Sequence, residues 1–397
     1  MKALSFEGNG LEYFKIWIVN ILLTIVTLGL YYPWAKVRNN RYFYANTKLE
    51  GRNFDYHATG KQLFKGYLIA MGLLIVYIVL QRLSPILSLV VLIIFFLALP
   101  WIIWRSLTFS MSVTSFSNVR FEFNGHLKGA YIVYLLLPIA AFIAFYSPII
   151  VIAIFSPIIV SKVLGVVGGI LAGVALLISI VFVLFMYGLL KQKSTSYYLN
   201  NLKYGQGKFA TQLTVGGFAK IAAKTVGLAL LAFIVCMVII GVLATVSGVT
   251  GKLLGMVGNL QDPAAITEIM TGGVVALVAL VYLGFILISV AIFSYLYTRK
   301  RAYIMDNSTL DKKISFQSTL SARDLAFISV TNFLVIIFSL GLAIPWAKVR
   351  LSRYVLENTR VNTSLGFEEY VTQQEEKQAS LGEQIGDAFD VDVGIGI

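Results

Sequence analysis

The sequence predicts an all-α polytopic membrane protein with internal repeats: three transmembrane hairpins, two shorter re-entrant or spanning elements, and small cytoplasmic β-hairpins able to pack into a sheet. Three observations lead there. Hydrophobic residues make up 58% of the 397 and charged residues only 13%, about half the charged share of a soluble domain. Mean hydropathy is +0.81, and a chain so apolar needs lipid as its solvent. Six apolar stretches are long enough for a bilayer, and one motif occurs twice.

Taken in order, Phe14–Leu30 is a short apolar stretch, and nothing before it reads as a cleavable signal. The six longer stretches run near Leu63–Gln81, Pro85–Trp104, Ala130–Tyr146, Val163–Leu190, Phe218–Val246 and Gly272–Tyr297. They pair into three hairpins. Leu325–Leu342 is a second short stretch. Between them lie polar segments centred on Phe54, Phe121, Phe209 and Phe316, with Phe6 and Phe367 in looser copies. Alternation around a Gly- or Asp-containing turn marks each as a β-hairpin. Gly165, Gly169 and Gly173, like Gly251 and Gly255, have the spacing that lets helices approach closely. Residues 1–365 form the membrane domain. Residues 366–397 hold eight acids and one base, read as a disordered tail of charge −7, and leave +20 on the rest.

The repeated motif runs from Thr27 to Arg38 and from Ser339 to Arg350, with Pro-Trp-Ala-Lys-Val-Arg identical in both. Arg41-Tyr42 and Asn46-Thr47 follow the first copy, Arg353-Tyr354 and Asn358-Thr359 the second, all at an offset of 312. Asn20 and Asn332 share that offset, so the chain contains a duplication. The Leu-Gly-Leu-x-x-Pro-Trp-Ala motif with its second C-terminal copy resembles the YjgN-like family of bacterial inner-membrane proteins, over most of the chain up to Leu365. The resemblance implies an inner-membrane location. That family is a domain of unknown function, so no reaction or catalytic residue comes with it. Ala343-Ile344 departs from Tyr31-Tyr32 of the first copy.

Basic loops stay in the cytoplasm. Only Arg82, Lys162 and Lys252 lie inside the three hairpins, so the polar segments face the cytoplasm. The two short elements then either re-enter, turning near Gly29 and Gly341 with Pro33 and Pro345 opening a second helix, or cross fully to give eight spans. Re-entry satisfies both the repeat and the charges.

Trp34, Lys36, Arg38, Arg41, Trp346, Lys348, Arg350 and Arg353 form a duplicated basic and aromatic cluster. It reads either as an interfacial anchor or as a site for anionic phospholipid or another anionic substrate, where an arginine fork suits phosphate. Asn20 and Asn332, inside apolar stretches, read as interhelical hydrogen bonds or as part of a solute path. His57 and His126 sit in polar loops, and Cys236 is the sole cysteine. No catalytic set, metal site or cofactor motif can be assembled. Enzyme and nucleic-acid binder are therefore not expected, while a homo-oligomer fits. The internal repeats and the duplicated basic and aromatic motif at headgroup level favour transport or lipid handling. The alternative is a structural or regulatory scaffold docking partners through its cytoplasmic β-hairpins. A transporter or lipid carrier should show a cavity lined by groups such as Asn20 and Asn332; a scaffold should show a filled bundle core.

Overall fold

A computed structural model describes residues 1–160, 165–246, 272–362 and 366–378. Strands β1 (Lys2–Ala3) and β2 (Ser5–Phe6) lead into α1 (Gly10–Val26) and α2 (Tyr32–Ala45). Strands β3 (Thr47–Leu49) and β4 (Arg52–Tyr56) precede α3 (Gly60–Leu83) and α4 (Pro85–Ser112). Next come β5 (Thr114–Phe116), β6 (Val119–Phe123), α5 (Leu127–Tyr131), a π-helical turn at Ile132–Leu136, α6 (Leu137–Val160) and α7 (Gly165–Asn200). Then follow β7 (Leu202–Tyr204), β8 (Gly207–Thr211), α8 (Val215–Val246) and α9 (Gly272–Asp306). Strands β9 (Ser308–Leu310) and β10 (Ile314–Ser318), α10 (Ala322–Phe338), α11 (Ile344–Glu357) and β11 (Thr359–Val361) follow. A last helix, α12, covers residues 367–378.

Among the described residues, six helices are long and apolar enough to cross a membrane. They outrun the apolar windows of the sequence because they continue through polar residues to the next strand: Lys191 and Lys193 still belong to α7. The glycine spacing in α7 misplaced its buried face. A Cβ at Gly169 or Gly173 would meet nothing within 4 Å, whereas Gly168, Ala172 and Ser179 are buried. Gly251 and Gly255 lie outside the described residues.

The strands form one antiparallel sheet in the order β1-β11-β10-β9-β8-β7-β6-β5-β4-β3-β2. Its two ends, β1 and β2, are halves of one short segment, interrupted only at Leu4, whose N–H donates to Thr359 O at 3.0 Å. Lys2 and Ala3 pair with Val361 and Arg360 on one side, and Ser5 and Phe6 with Lys48 and Thr47 on the other. The sheet therefore closes on itself, which removes its edges. An all-α description is too coarse: the small hairpins join into one ring. Equivalent hydrogen bonds recur around it, from Glu7 N to Asn46 O, His57 N to Val113 O, Asn124 N to Asn201 O, Gln212 N to Asn307 O and Thr319 N to Asn358 O, all between 2.7 and 3.0 Å.

Alternation sends every second side chain inward. Leu49, Phe116, Val119, Tyr204, Leu310, Ile314 and Val361 fill the ring. The phenylalanines at the centres of the long strands, with Leu4, pack against this cluster. The acidic tail 366–397 was expected to be disordered; residues 379–397 lie outside the described residues, but in the described part α12 docks onto the ring, placing Phe367 and Val371 in the same core. Gln374 Oε1 accepts from Gln206 N at 2.9 Å, and Tyr370 Oη donates to Asp311 at 2.6 Å. Glu375 accepts from Arg52 at 3.3 Å and from the Ser117 hydroxyl, and Gln378 Oε1 from Arg120 N at 3.0 Å. These four residues of α12 lie on one helical face and meet partners at or beside the hairpin turns. Burial and the hydrogen bond to Asp311 push the Tyr370 phenol well above its usual range.

Each two-helix excursion leaves and rejoins the ring through neighbouring strands. Among the described residues the principal helix contacts run in chain order and close through α1 against α11.

Candidate functional site

The two copies of the motif build two re-entrant-shaped turns. Helix α1 ends in a Schellman arrangement: Gly29 N bonds to Thr24 O at 2.7 Å and Leu28 N to Ile25 O at 3.0 Å. At the end of α10, Gly341 N bonds to Ile336 O at 2.8 Å and Leu340 N to Ile337 O at 3.0 Å. Gly29 and Gly341 have φ of +91° and +90°, the left-handed region that favours glycine. The hydroxyls of Thr27 and Ser339 accept from Tyr31 N and Ala343 N, holding the turn open to the next helix. Pro33 and Pro345 stand in the first turns of α2 and α11. The chain thus doubles back to the sheet at both copies, since β2 pairs with β3 and β10 with β11. The tips are bare apolar surface: Leu28 is 88% and Leu340 94% exposed.

The tryptophans wedge between excursions. Trp34 lies on Gly60 at the start of α3 and beside Phe64, with ring centroids 5.0 Å apart. Trp346 lies on Gly10 at the start of α1 and beside Phe14, at 5.1 Å. Arg41 donates to Ala58 O at 3.4 Å and Arg353 to Gly8 O at 2.8 Å, two corresponding joints. Trp346, Arg350 and Arg353 line a groove of about 430 Å³, together with Glu7 and residues 8–10.

Symmetry between the copies fails at one place. In the second copy, Asn332 Nδ2 donates to Ala347 O at 3.1 Å, and its Oδ1 accepts from Arg350 at 3.3 Å. In the first, Asn20 Nδ2 donates to Asn39 Oδ1 at 3.1 Å, but the Asn20 Oδ1 has no partner although the residue is only 3% exposed. The corresponding arginine, Arg38, donates instead to Tyr31 Oη at 3.1 Å. Residue 343 is alanine in the second copy, so Arg350 has no such phenol to take it. Asn20 lines a groove of about 410 Å³ between α1 and α2, together with Trp17, Lys36, Asn39, Asn40 and, from α11, Lys348. The structure therefore gathers Asn20, Lys36 and Lys348, puts Trp346, Arg350 and Arg353 in a separate groove, and leaves Trp34, Arg38, Arg41 and Asn332 on internal partners.

Sequence reasoning saw Tyr42/Asn46 and Tyr354/Asn358 as part of the motif but missed that this Tyr-x-x-x-Asn device recurs at Tyr197/Asn201 and Tyr303/Asn307. Each asparagine amide donates to the tyrosine's carbonyl one turn back, at 2.7 to 2.9 Å. The phenols reach Asn9, His126, Thr214 and Ser321, clamping the start of a preceding helix. The spacing is visible in the sequence. The residues holding α12 carry no such signal. His57 bonds to Ser115 at 2.7 Å, and no metal-sized cluster occurs among the described residues.

No solved structure matches the chain. The inner membrane protein YjgN of Salmonella typhimurium is 30% identical over 370 residues, covering 91% of this chain and 89% of that protein. Its namesake in Escherichia coli O157:H7 is 29% identical over 372 residues, with coverage of 89% and 87%. The one in Escherichia coli K12 is 27% identical over 366 residues, with the same coverage. The profile of a family described as "Bacterial protein of unknown function (DUF898)" matches residues 1–388. With six helices able to cross a bilayer and relatives of this kind, the chain belongs to the DUF898 family and is a multi-pass protein of the bacterial inner membrane.

Proposed function

We propose that this protein handles membrane lipid. The observation that carries the reading is how little of the long helices is covered: between 0 and 17% of each apolar window is buried inside the structure. Helices that meet their neighbours in single file around a closed ring have apolar faces on both sides of the wall, and lipid is the filling such faces accept. A scaffold would bury the inward faces against one another. The β-ring is filled with apolar side chains and capped by α12, which speaks against a polar route through its centre. The lateral groove at Asn20 opens where lipid would lie.

The repeated motif and the recurring ring hydrogen bonds support a repeat-built architecture. The basic polar segments support a sheet on the cytoplasmic side. One observation favours a regulatory element in addition: the acidic helix α12 seated on the ring turns.

Purification of the full chain in mild detergent, followed by native mass spectrometry, tests the lipid reading. Phospholipid should stay bound, and removing it should lower the melting temperature. A lipid-free protein with an unchanged melting temperature would sink it.

A further inference from the structure

The groove between α1, α2 and α11 has the chemistry of a headgroup site, and its features point to one kind. Lys36 and Lys348 supply two positive charges, and no Asp or Glu is among its lining residues. Lys348 is held over the Tyr13 and Phe43 rings, with Nζ 5.8 and 6.0 Å from their centroids, and donates to Tyr13 Oη at 3.4 Å. That contact leaves Lys348 further donors for a ligand. Asn20 offers an acceptor oxygen with no donor of its own, in a residue that is only 3% exposed. A buried acceptor left without a donor is costly, and the second copy shows how the protein satisfies it when it can, through Arg350 on Asn332. In the first copy Tyr31 diverts Arg38, and the acceptor is left to something else.

The groove is also amphipathic along its length. Ile25 and Tyr32 line it near the turn carrying exposed Leu28, whereas Asn39, Asn40 and Lys348 line the end toward the sheet. An amphiphile would enter with its apolar part toward the tip and its polar part toward the lysines.

We propose that this groove binds an anionic glycerophospholipid whose headgroup carries a hydroxyl, of the phosphatidylglycerol kind. The phosphate lies between Lys36 and Lys348, and the headgroup hydroxyl donates to Asn20 Oδ1. An ammonium headgroup would meet the two lysines and be repelled. The site is single, because the corresponding oxygen of the second copy already has its donor. This inference rests on the lipid-handling reading and adds the headgroup class and its place.

The test uses the purified full chain in detergent with pyrene-labelled phosphatidylglycerol. The competitors are phosphatidylglycerol, phosphatidylmethanol (same charge, no hydroxyl), phosphatidylcholine and glycerol 1-phosphate. Phosphatidylglycerol should compete about tenfold better than phosphatidylcholine, the scale of one charge-assisted hydrogen bond. It should also beat phosphatidylmethanol, and Asn20→Leu should abolish that second gap. The exposed pair Lys36→Gln/Lys348→Gln should reduce phosphatidylglycerol to the level of phosphatidylcholine. Equal competition by phosphatidylglycerol and phosphatidylcholine overturns the headgroup assignment while leaving lipid handling intact. So does retained preference in the lysine pair variant. Competition by glycerol 1-phosphate as strong as by phosphatidylglycerol makes the ligand a soluble phosphate and overturns the lipid assignment. Absence of any lipid binding removes this proposal and the reading beneath it together.

Discussion

Gly10 and Gly60 each face a tryptophan ring so closely that a Cβ would lie 2.3 Å from Trp346 or 2.2 Å from Trp34. Adding one methyl group there forces the indole or the helix to move, which costs about 1–3 kcal/mol in a packed site. Gly60→Ala should therefore lower the melting temperature measured by differential scanning fluorimetry. Gly66 and Gly72, in the same helix, would place a Cβ in open space. Alanine at either should raise it, by about 0.5–1 kcal/mol, because a helix-interior glycine is poor in backbone entropy. If all three behave alike, the wedge is not what fixes Gly60. None of this was legible beforehand, since Trp346 meets a glycine 336 positions away. The replacement of Tyr31 by Ala343 was legible as an asymmetry, but its effect on Asn20 passes through Arg38 and needs coordinates.

At the scale of elements, the six long helices were legible because hydrophobicity is a local property, and the turns because Leu-Gly-Leu before Pro-Trp dictates them. Helix α12 was not. Its abundant acids suggested a solvated chain, although Phe367, Tyr370, Val371 and Gln374 already traced one helical face. What it docks on is scattered through the chain, its hydrogen-bond partners lying 59 to 323 residues earlier. The Arg52–Glu375 pair is about one-third exposed on each side, so it contributes about 0.2–1 kcal/mol at most. Buried Phe367 and Val371 hold the helix more firmly. In a Cys236→Ser background, Val371→Cys should label slowly with maleimide, Arg52→Ala should speed it a few-fold, and Phe367→Asp should release it fully. Unprotected labelling without these changes would show that α12 is not docked.

The Tyr370 phenol, raised by burial and by Asp311, also sets a pH dependence. A tyrosine whose folded pKa is raised stabilises the docked form fully below the unfolded value, near 10, and loses that stabilisation as pH rises through the folded value. Labelling at position 371, normalised to a free cysteine peptide, should stay flat to about pH 10 and climb only above it. A climb beginning near neutrality would contradict the Tyr370–Asp311 bond.

For the whole molecule, the alternation of ring and excursions places every hairpin turn at one end. Single cysteines at Glu50, Asn118, Gln206 and Lys312, again in Cys236→Ser, should all resist an impermeant maleimide in intact cells and react once the cells are opened. A split result among the four would break the ring arrangement. The sequence disclosed the hairpins through their central phenylalanines. It could not disclose their closure, because the pairing of Lys2 with Val361 leaves no trace in either strand's own residues. Deleting residues 1–6 should leave β3 and β11 as bare edges and convert a monodisperse protein into one that aggregates on size-exclusion chromatography.

That closure also dictates a timetable. A ribosome releases Lys2–Phe6 more than three hundred residues before one partner of this segment, Thr359–Val361. Throughout translation and insertion, the nascent chain must carry an unmatched strand edge, the kind of surface that invites wrong pairings and chaperone attention. The earlier excursions can settle into the bilayer as they are made, but the collar snaps shut only after β11 has left the exit tunnel. Helix α12 follows within a few residues and covers the closed collar. A chain truncated before β11 would present its open seam to quality-control proteases.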